Sequence, residues 1–230
     1  MSTRPSTVDG QPGTRTRLVE SAATLFSRRG YSATGVKAVL ADASAPYGSL
    51  YHWFPGGKQE LGVAAIEYGG QRYRELIESV YPEGKDVVDA TAASFKVAAE
   101  ILESSDYDYA CPIATIALEV ASSDEPMRVA AASAFESWLE FLQGRFASAG
   151  MSKSRARDVA VEIFALLEGS LLLARTTRTT KPILTAGRLA TACVEEALTA
   201  DGVGRPARKK AAAPAKKTAA RTTKSAAKSA

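Results

Sequence analysis

Between Pro46 and Lys58 the chain reads Pro46-Tyr47-Gly48-Ser49-Leu50-Tyr51-His52-Trp53-Phe54-Pro55-Gly56-Gly57-Lys58, and it includes the only histidine. The hydroxyl, imidazole and ammonium groups of this run donate or accept hydrogen bonds, and a glycine lets backbone come close to a partner. No nucleophile motif, metal cluster or Gly-rich phosphate loop accompanies the histidine, so neither an enzyme nor a cofactor is expected. What the run offers is recognition. Pro46, Tyr47, Ser49 and His52 face outward on a helical reading, and Gly48 opens the backbone between them. Tyr47 and Ser49 have the reach for base edges in a DNA groove, while Tyr51 and His52 suit phosphate oxygens. Lys58 opens the following helix and would add a charge beside unpaired N–H groups, a favourable phosphate site.

Such residues work only if held on two short helices that cross tightly, the geometry of a helix-turn-helix. Val36, Val39, Leu40, Ala43, Leu50 and Phe54 have the spacing to pack that pair on a first helix spanning 15–29, which carries Leu18, Ala22, Leu25 and Phe26 and ends at Gly30. Thr34 is a good N-cap for the second helix. Ser44 would cap a third beginning at Ser44-Ala45-Pro46, which Phe54-Pro55-Gly56-Gly57 stops. Further helices fit 58–81, 85–104, 112–122, 124–150, 152–179 and 182–198, so an all-α protein of about nine helices is expected. The same pattern also fits a small helical bundle whose aromatics are simply core.

Composition narrows the class. No stretch reaches the roughly 18–20 apolar residues of a membrane span, and 1–13 lacks the apolar region of a signal peptide, so a cytoplasmic, nucleoid-associated protein is expected. The two cysteines, Cys111 and Cys193, lie far apart and read as small core hydrophobes rather than a disulfide or metal site. The net charge of +4 is unevenly spread: residues 1–70 carry seven basic and five acidic groups, 71–204 carry 13 and 20, and 205–230 carry nine basic groups and no acid. That partition suggests a polyanion at both ends of the chain and a different partner in the middle. The expected organisation is an arm at 1–13, a DNA-binding head at 14–57, a second helical domain at 58–200 and a disordered basic tail at 201–230.

In the middle domain, Phe95, Phe135, Trp138, Phe141, Phe146 and Phe164 fall at helical spacings. They read as core, or as the lining of an apolar pocket to which Phe95, Ile116, Glu119, Phe135, Trp138, Phe164 and Glu168 are assigned. Glu119 and Glu168 each interrupt an apolar helix. Either is a solvated edge residue, a partner of Arg175 or Arg145, or the counter-charge of a cationic ligand. The last two helices carry apolar stripes with small residues between them, and Ile163, Leu167, Ser170, Ile183, Ala190 and Val194 are expected to form a two-fold interface.

Residues 15–70 resemble the DNA-binding domain of the TetR/AcrR family of bacterial transcriptional regulators. Leu25-Phe26, Gly30-Tyr31, Thr34-Gly35-Val36, Ala43, Gly48-Ser49-Leu50-Tyr51-His52, Phe54, Lys58 and Glu60-Leu61 carry the likeness. The run from Ser44 to Lys58, Cys111-Pro112-Ile-Ala-Thr-Ile-Ala-Leu-Glu119 and Leu166-Leu-Glu-Gly-Ser-Leu-Leu-Leu-Ala-Arg175 are similar to the LmrA/YxaF-like subgroup. The resemblance, over about 15–200, implies a nine-helix homodimer that reads a palindromic operator in double-stranded DNA and commonly represses until a small-molecule effector binds. It maps Tyr47, Gly48 and Ser49 to base contacts, and Thr34, Tyr51, His52 and Lys58 to phosphates. Ser44 stands where many members have glycine, and Tyr47 where many have lysine or arginine, so the operator is not transferable from relatives.

The tail, with Arg208, Lys209, Lys210, Lys216, Lys217, Arg221, Lys224 and Lys228 among alanine and proline, resembles the Lys/Ala/Pro tails of linker histones. Each phosphate neutralised adds about 0.9 to the salt slope, so such a tail suits non-specific DNA affinity; an inert solubilising tail is the plainer reading. A ligand-released repressor is therefore expected, against an architectural protein dominated by its tail.

Overall fold

The computed structural model describes residues 13–109 and 111–203, and all regular structure there is helical. Nine helices occur among the described residues: α1 (Thr14–Arg29), α2 (Val36–Asp42), α3 (Ser49–Trp53), α4 (Gly57–Val80), α5 (Val87–Ser104), α6 (Pro112–Val120), α7 (Glu125–Ser148), α8 (Lys153–Thr177) and α9 (Lys181–Ala200). None of them is long and apolar enough to cross a membrane. The expected basic tail residues, Arg208 to Lys228, lie outside the described residues.

Local chemistry sets most boundaries. Gly30 ends α1 at φ 87°, with its N–H on the Phe26 carbonyl at 2.9 Å, and Arg28 and Arg29 in the last turn complement the helix dipole. Asp86 caps α5 by accepting from Val88 N at 2.9 Å and Asp89 N at 3.1 Å. Asp124 caps α7 through Met127 N at 3.1 Å, with Pro126 in the first turn. Ser152 precedes α8 as expected but makes no side-chain cap. Instead the Asp201 carboxylate accepts the Ser152 N–H at 2.8 Å and pairs with Arg155, tying the end of α9 to the start of α8.

The helix starts around the head differ from expectation. Gly35, not Thr34, is the N-cap of α2. The third helix begins at Ser49 rather than near Ser44, because Ser44 sits at φ 48° in the left-handed region and turns the chain. A side chain there costs about 1 kcal/mol that glycine would avoid, which accounts for the glycine expected from the family resemblance.

Two cores share the chain. One gathers Leu18, Ala22 and Phe26 of α1, Val39 and Leu40 of α2 and Leu50 of α3 with Leu61 and Ile66 of α4, Ile113 and Ile116 of α6, and Met127 and Trp138 of α7. The other joins α5, α8 and α9 to Phe146 of α7 and to Tyr81 just after α4. The first three helices therefore stand on α4, α6 and α7 through continuous apolar packing, and the long helices α4 and α7 run from one core to the other.

Candidate nucleic-acid interface

Leu50 and Phe54, one turn apart, are buried in the first core and pin α3 to it. Helix α1 fixes the preceding turn: Ser21 Oγ donates to the Val39 carbonyl at 3.1 Å, and Arg17 Nε donates to the Ala43 carbonyl at 3.1 Å. With those anchors inward, Tyr47 (65% exposed) and Tyr51 (59%) face solvent, beside exposed Pro46, Gly48 and His52 and half-buried Ser49. A Cβ added at Gly48 would meet nothing within 4 Å, so the surface there is open to a close partner. The outward set read from periodicity is thus displayed on one short helix and the turn before it. Trp53, which periodicity does not single out, is also exposed (39%) and packs edge-on against His52 at 4.8 Å. Lys37 on α2 is exposed, and the Arg15 guanidinium lies 5.3 Å from the Phe54 ring.

Two expected phosphate contacts are corrected. Thr34 is buried (2% exposed), and its hydroxyl donates to the Gly30 carbonyl at 2.7 Å, so it closes the loop after α1 instead of meeting solvent. Lys58 turns inward as well. Its Nζ donates to the Tyr31 carbonyl at 2.7 Å and sits 4.2 Å from the Tyr31 ring centroid. Burial pulls the Lys58 pKa down, partly offset by the nearby Glu119 carboxylate. The start of α4 already holds an anion of its own, because Glu60 Oε2 accepts the Gly56 N–H at 2.8 Å. Lys58→Ala is therefore expected to lower stability by about 1 kcal/mol, a charged hydrogen bond discounted for solvent screening, and to leave the salt slope of DNA binding unchanged. Denaturant melts and affinities at several salt concentrations check this; a slope flatter by about one would restore the phosphate role.

Glu119, expected in a pocket, does something else. From α6 its carboxylate accepts the backbone N–H of Tyr31 at 3.0 Å and of Ser32 at 2.8 Å, 88 and 87 residues earlier in the chain. Burial pushes its pKa up, but the hydrogen bonds from Ser32 and Tyr31 and the charge of Lys58 outweigh this, and the net direction is down. Gly30 makes the approach possible, since a Cβ there would collide with the Glu119 carboxylate. Neither arginine considered as a partner for Glu119 or Glu168 fills that part: Arg175 reaches the Arg28 carbonyl at 3.4 Å and Arg145 the Pro82 carbonyl at 2.7 Å.

The rest of the expected pocket is also redistributed. Ile116 is core beneath the head, and Phe95 is core against Gly187 of α9. Phe135, Trp138 and Phe164 form an aromatic cluster with centroids 5.5–5.6 Å apart. The Trp138 indole donates to the Gly70 carbonyl at 2.9 Å. The apolar cavity lies between α4, α5 and α8 and is lined by Tyr73, Ile77, Val97, Ala98, Ile101, Tyr109, Cys111, Leu167 and Leu171 among others. It is small, with a volume of about 60 Å³. Glu168 is not among the lining residues either; it lies within hydrogen-bonding reach of the Cys111 thiol, which is.

The expected two-fold interface is corrected in the same way. Ile163, Ile183, Ala190 and Val194 are buried in the chain's own second core, Ser170 is buried with its hydroxyl donating to the Leu167 carbonyl, and Leu167 faces the cavity. The exposed large apolar residues of the last two helices are Val161, Leu172 and Leu173 on α8 and Leu184 and Leu189 on α9.

Residues 18–65 match the family described as bacterial regulatory proteins, tetR family, and residues 87–189 match the C-terminal domain of LmrA/YxaF-like transcriptional regulators. The HTH-type transcriptional regulator Rv0196 of Mycobacterium tuberculosis is 35% identical over 176 residues, covering 74% of this chain and 89% of that protein. The HTH-type transcriptional regulator YxaF of Bacillus subtilis is 31% identical over 170 residues with the same shares, and LmrA of the same organism is 28% identical, covering 74% and 90%. Among solved structures, a TetR transcriptional regulator from Legionella pneumophila superposes with a TM-score of 0.70 at 22% identity, covering 80% of this chain and 98% of that one. The regulatory protein TetR from Rhodobacter sphaeroides gives 0.69 at 21% identity, covering 78% and 98%.

Proposed function

The chain belongs to the TetR family of helix-turn-helix transcriptional regulators, with a C-terminal domain of the LmrA/YxaF-like type, and from that premise we propose that it is a dimeric repressor released from its operator by a small apolar effector. The carrying observation is the pairing of exposed Tyr47, Gly48, Tyr51 and His52 with buried Leu50 and Phe54, which leaves the outer face of one short helix and the turn before it free to meet a groove. In this reading residues 14–57 form the reading head and 58–200 the effector and dimerisation domain. Pro46, Tyr47, Gly48 and Ser49 meet base edges, and Tyr51 and His52 meet phosphates, joined by Lys37 and Arg15 in place of Thr34 and Lys58. The protein works in the cytoplasm, where the DNA is.

Two heads related by a two-fold axis read half-sites about 34–36 Å apart, so the operator is palindromic. The exposed stripe on α8 and α9 supports the dimer, with Leu172 and Leu189 as its central apolar residues. The effector enters the cavity between α4, α5 and α8, and α4 carries the change to the head, since Leu61 and Ile66 of that helix share the head's core. The basic tail adds non-specific affinity. An architectural role dominated by the tail draws no support from the relatives, which are HTH-type transcriptional regulators.

Selection of bound sites from random DNA, with the full chain and with a chain lacking 205–230, tests the reading. Both should enrich the same palindrome; enrichment of none, or only with the tail, would remove the repressor. Tyr47→Ala should weaken operator binding by about tenfold, the scale of one lost base contact, and leave binding to random DNA within about twofold. Equal losses on both DNAs would make Tyr47 a positional contact.

A further inference from the structure

A cleft opens where the end of α1, the middle of α4 and the segment leading into α6 meet. Its volume is about 380 Å³, within the range of small-molecule sites. It shares Tyr73, Leu76 and Tyr109 with the small cavity between α4, α5 and α8. Arg28 of α1 and Arg72 of α4 both line it, and among the described residues no acid does. Each arginine has one acid beside it. Arg28 Nε lies 3.4 Å from the Asp108 carboxylate, and Arg72 Nη1 donates to Glu75 at 3.1 Å; all four side chains are about half exposed or more. Glu20, the acid next to Tyr68, accepts from that phenol at 3.2 Å. Burial pushes the Tyr109 pKa up, and the charges of Arg28 and Arg72 both pull against it, so two guanidiniums from different helices act on one phenol in the cleft wall.

We propose that this cleft binds a small aromatic carboxylate, its charge held by Arg28 and Arg72 and its ring laid against Tyr73, Leu76 and Pro112. Exposed ion pairs such as those with Asp108 and Glu75 are worth at most about 1 kcal/mol, so the guanidiniums exchange them at little cost. A carboxylate inside the cleft meets the same donors with less water around them, where charge-assisted bonds are stronger. The planar fork of arginine suits the two oxygens of a carboxylate. Tyr109 stays protonated at neutral pH and offers a further donor.

The lining also sets what the cleft rejects. A neutral amide of the same shape keeps the apolar contact and loses the charge. Acetate or inorganic phosphate keeps the charge and leaves the apolar wall uncovered. An amine finds two cations and no lining acid. The position of the site matters too. Arg28 stands in the last turn of α1, the helix on which α2 and α3 pack, and Arg72 belongs to α4. A carboxylate held by both adds a contact between the head and the second domain. The site is separate from the cavity between α4, α5 and α8 and does not depend on the effector assigned to that cavity.

Calorimetry on the full chain with 3-phenylpropionate, 3-phenylpropionamide, acetate and inorganic phosphate tests this. The aromatic acid should bind at least about tenfold more tightly than each of the other three. Raising the salt from about 0.05 to about 0.5 M should weaken the acid and leave the amide unchanged. Arg28→Gln and Arg72→Gln, each at an exposed position, should each remove about tenfold of the affinity for the acid and leave the amide within about twofold. Arg188→Gln on α9, which removes the same charge elsewhere, should leave the acid unchanged. Equal affinities for acid and amide, acetate or phosphate binding as tightly as the aromatic acid, or no binding of the acid at millimolar concentration would overturn the proposal. So would affinity for the acid that survives both Arg28→Gln and Arg72→Gln, or that falls equally in Arg188→Gln.

Discussion

Leu189→Glu is expected to leave the chain monomeric at micromolar concentration and to weaken binding to a palindromic operator by roughly a hundredfold or more. The size of the effect follows from the exposed surface of the last two helices. On α8, Val161, Ala165, Gly169 and Leu172 are exposed at spacings of four, four and three, which is one helical face. A Cβ added at Gly169 would meet nothing within 4 Å, so this face admits close backbone approach. On α9, Leu189 is 59% exposed, while Ile183, Ala190 and Val194 of the same helix are fully buried on the opposite side. Pairing these faces about a two-fold axis buries the leucines of both copies, and a glutamate at 189 places two like charges in that seam. With the dimer gone, the second head no longer benefits from a high effective concentration at its half-site. Light scattering gives the mass, and titrations with a full operator and an isolated half-site give the affinities. Half-site binding should be preserved. A variant that remains dimeric, or that loses half-site binding equally, would show that Leu189 does not lie in the interface.

Glu119→Ala is expected to weaken operator binding by about tenfold and to lower stability by about 1–2 kcal/mol, the range for losing hydrogen bonds from two backbone N–H groups to one carboxylate in a partly exposed position. The carboxylate holds the loop after α1, and Lys58 reaches the Tyr31 carbonyl of the same loop. Without Glu119 the head keeps its apolar seat on α4 and α6 but loses the polar contact that sets its angle, so DNA must select one orientation from several. The pH dependence has a definite sign. The folded pKa of Glu119 lies below its ordinary value of 4.5, so its contribution is present above that value and disappears as pH falls through the lower, folded one. Melting curves of the parent and of Glu119→Ala should differ at pH 7 and converge on acidification below about 4.5. A gap that persists in strong acid would assign the loss to packing rather than to the charge. Glu119→Gln, which keeps one acceptor, should fall between the two.

The recognition head was the most legible part of the molecule. Leu50 and Phe54 lie one turn apart, and their burial follows from a pattern contained in a dozen residues. Once they face inward, Tyr51 and His52 face outward on the same helix, and Tyr47 in the turn before it is exposed as well. Thr34 and Lys58 could not be assigned this way. Both are polar residues at helix starts, where a side chain commonly meets an anion. Both are instead bound to carbonyls of the loop after α1, Thr34 to Gly30 and Lys58 to Tyr31. The carbonyl bound by Lys58 lies 27 residues away, and no local spacing announces it.

Sequence alone determined the helical class, the register of the reading helix and the split of charge between head, body and tail, because helical periodicity, capping residues and composition act over a few residues at a time. Tertiary structure alone decided that Glu119 ties down the head whereas Glu168 lies against the Cys111 thiol with a buried, unpartnered Oε1, although both are single acids in apolar helices. It also decided that Ile163 and Val194 belong to the chain's own core while Leu172 and Leu189 are exposed. Periodicity identifies a face of a helix. What lies against that face depends on segments tens of residues away, and those contacts exist only once the chain has folded.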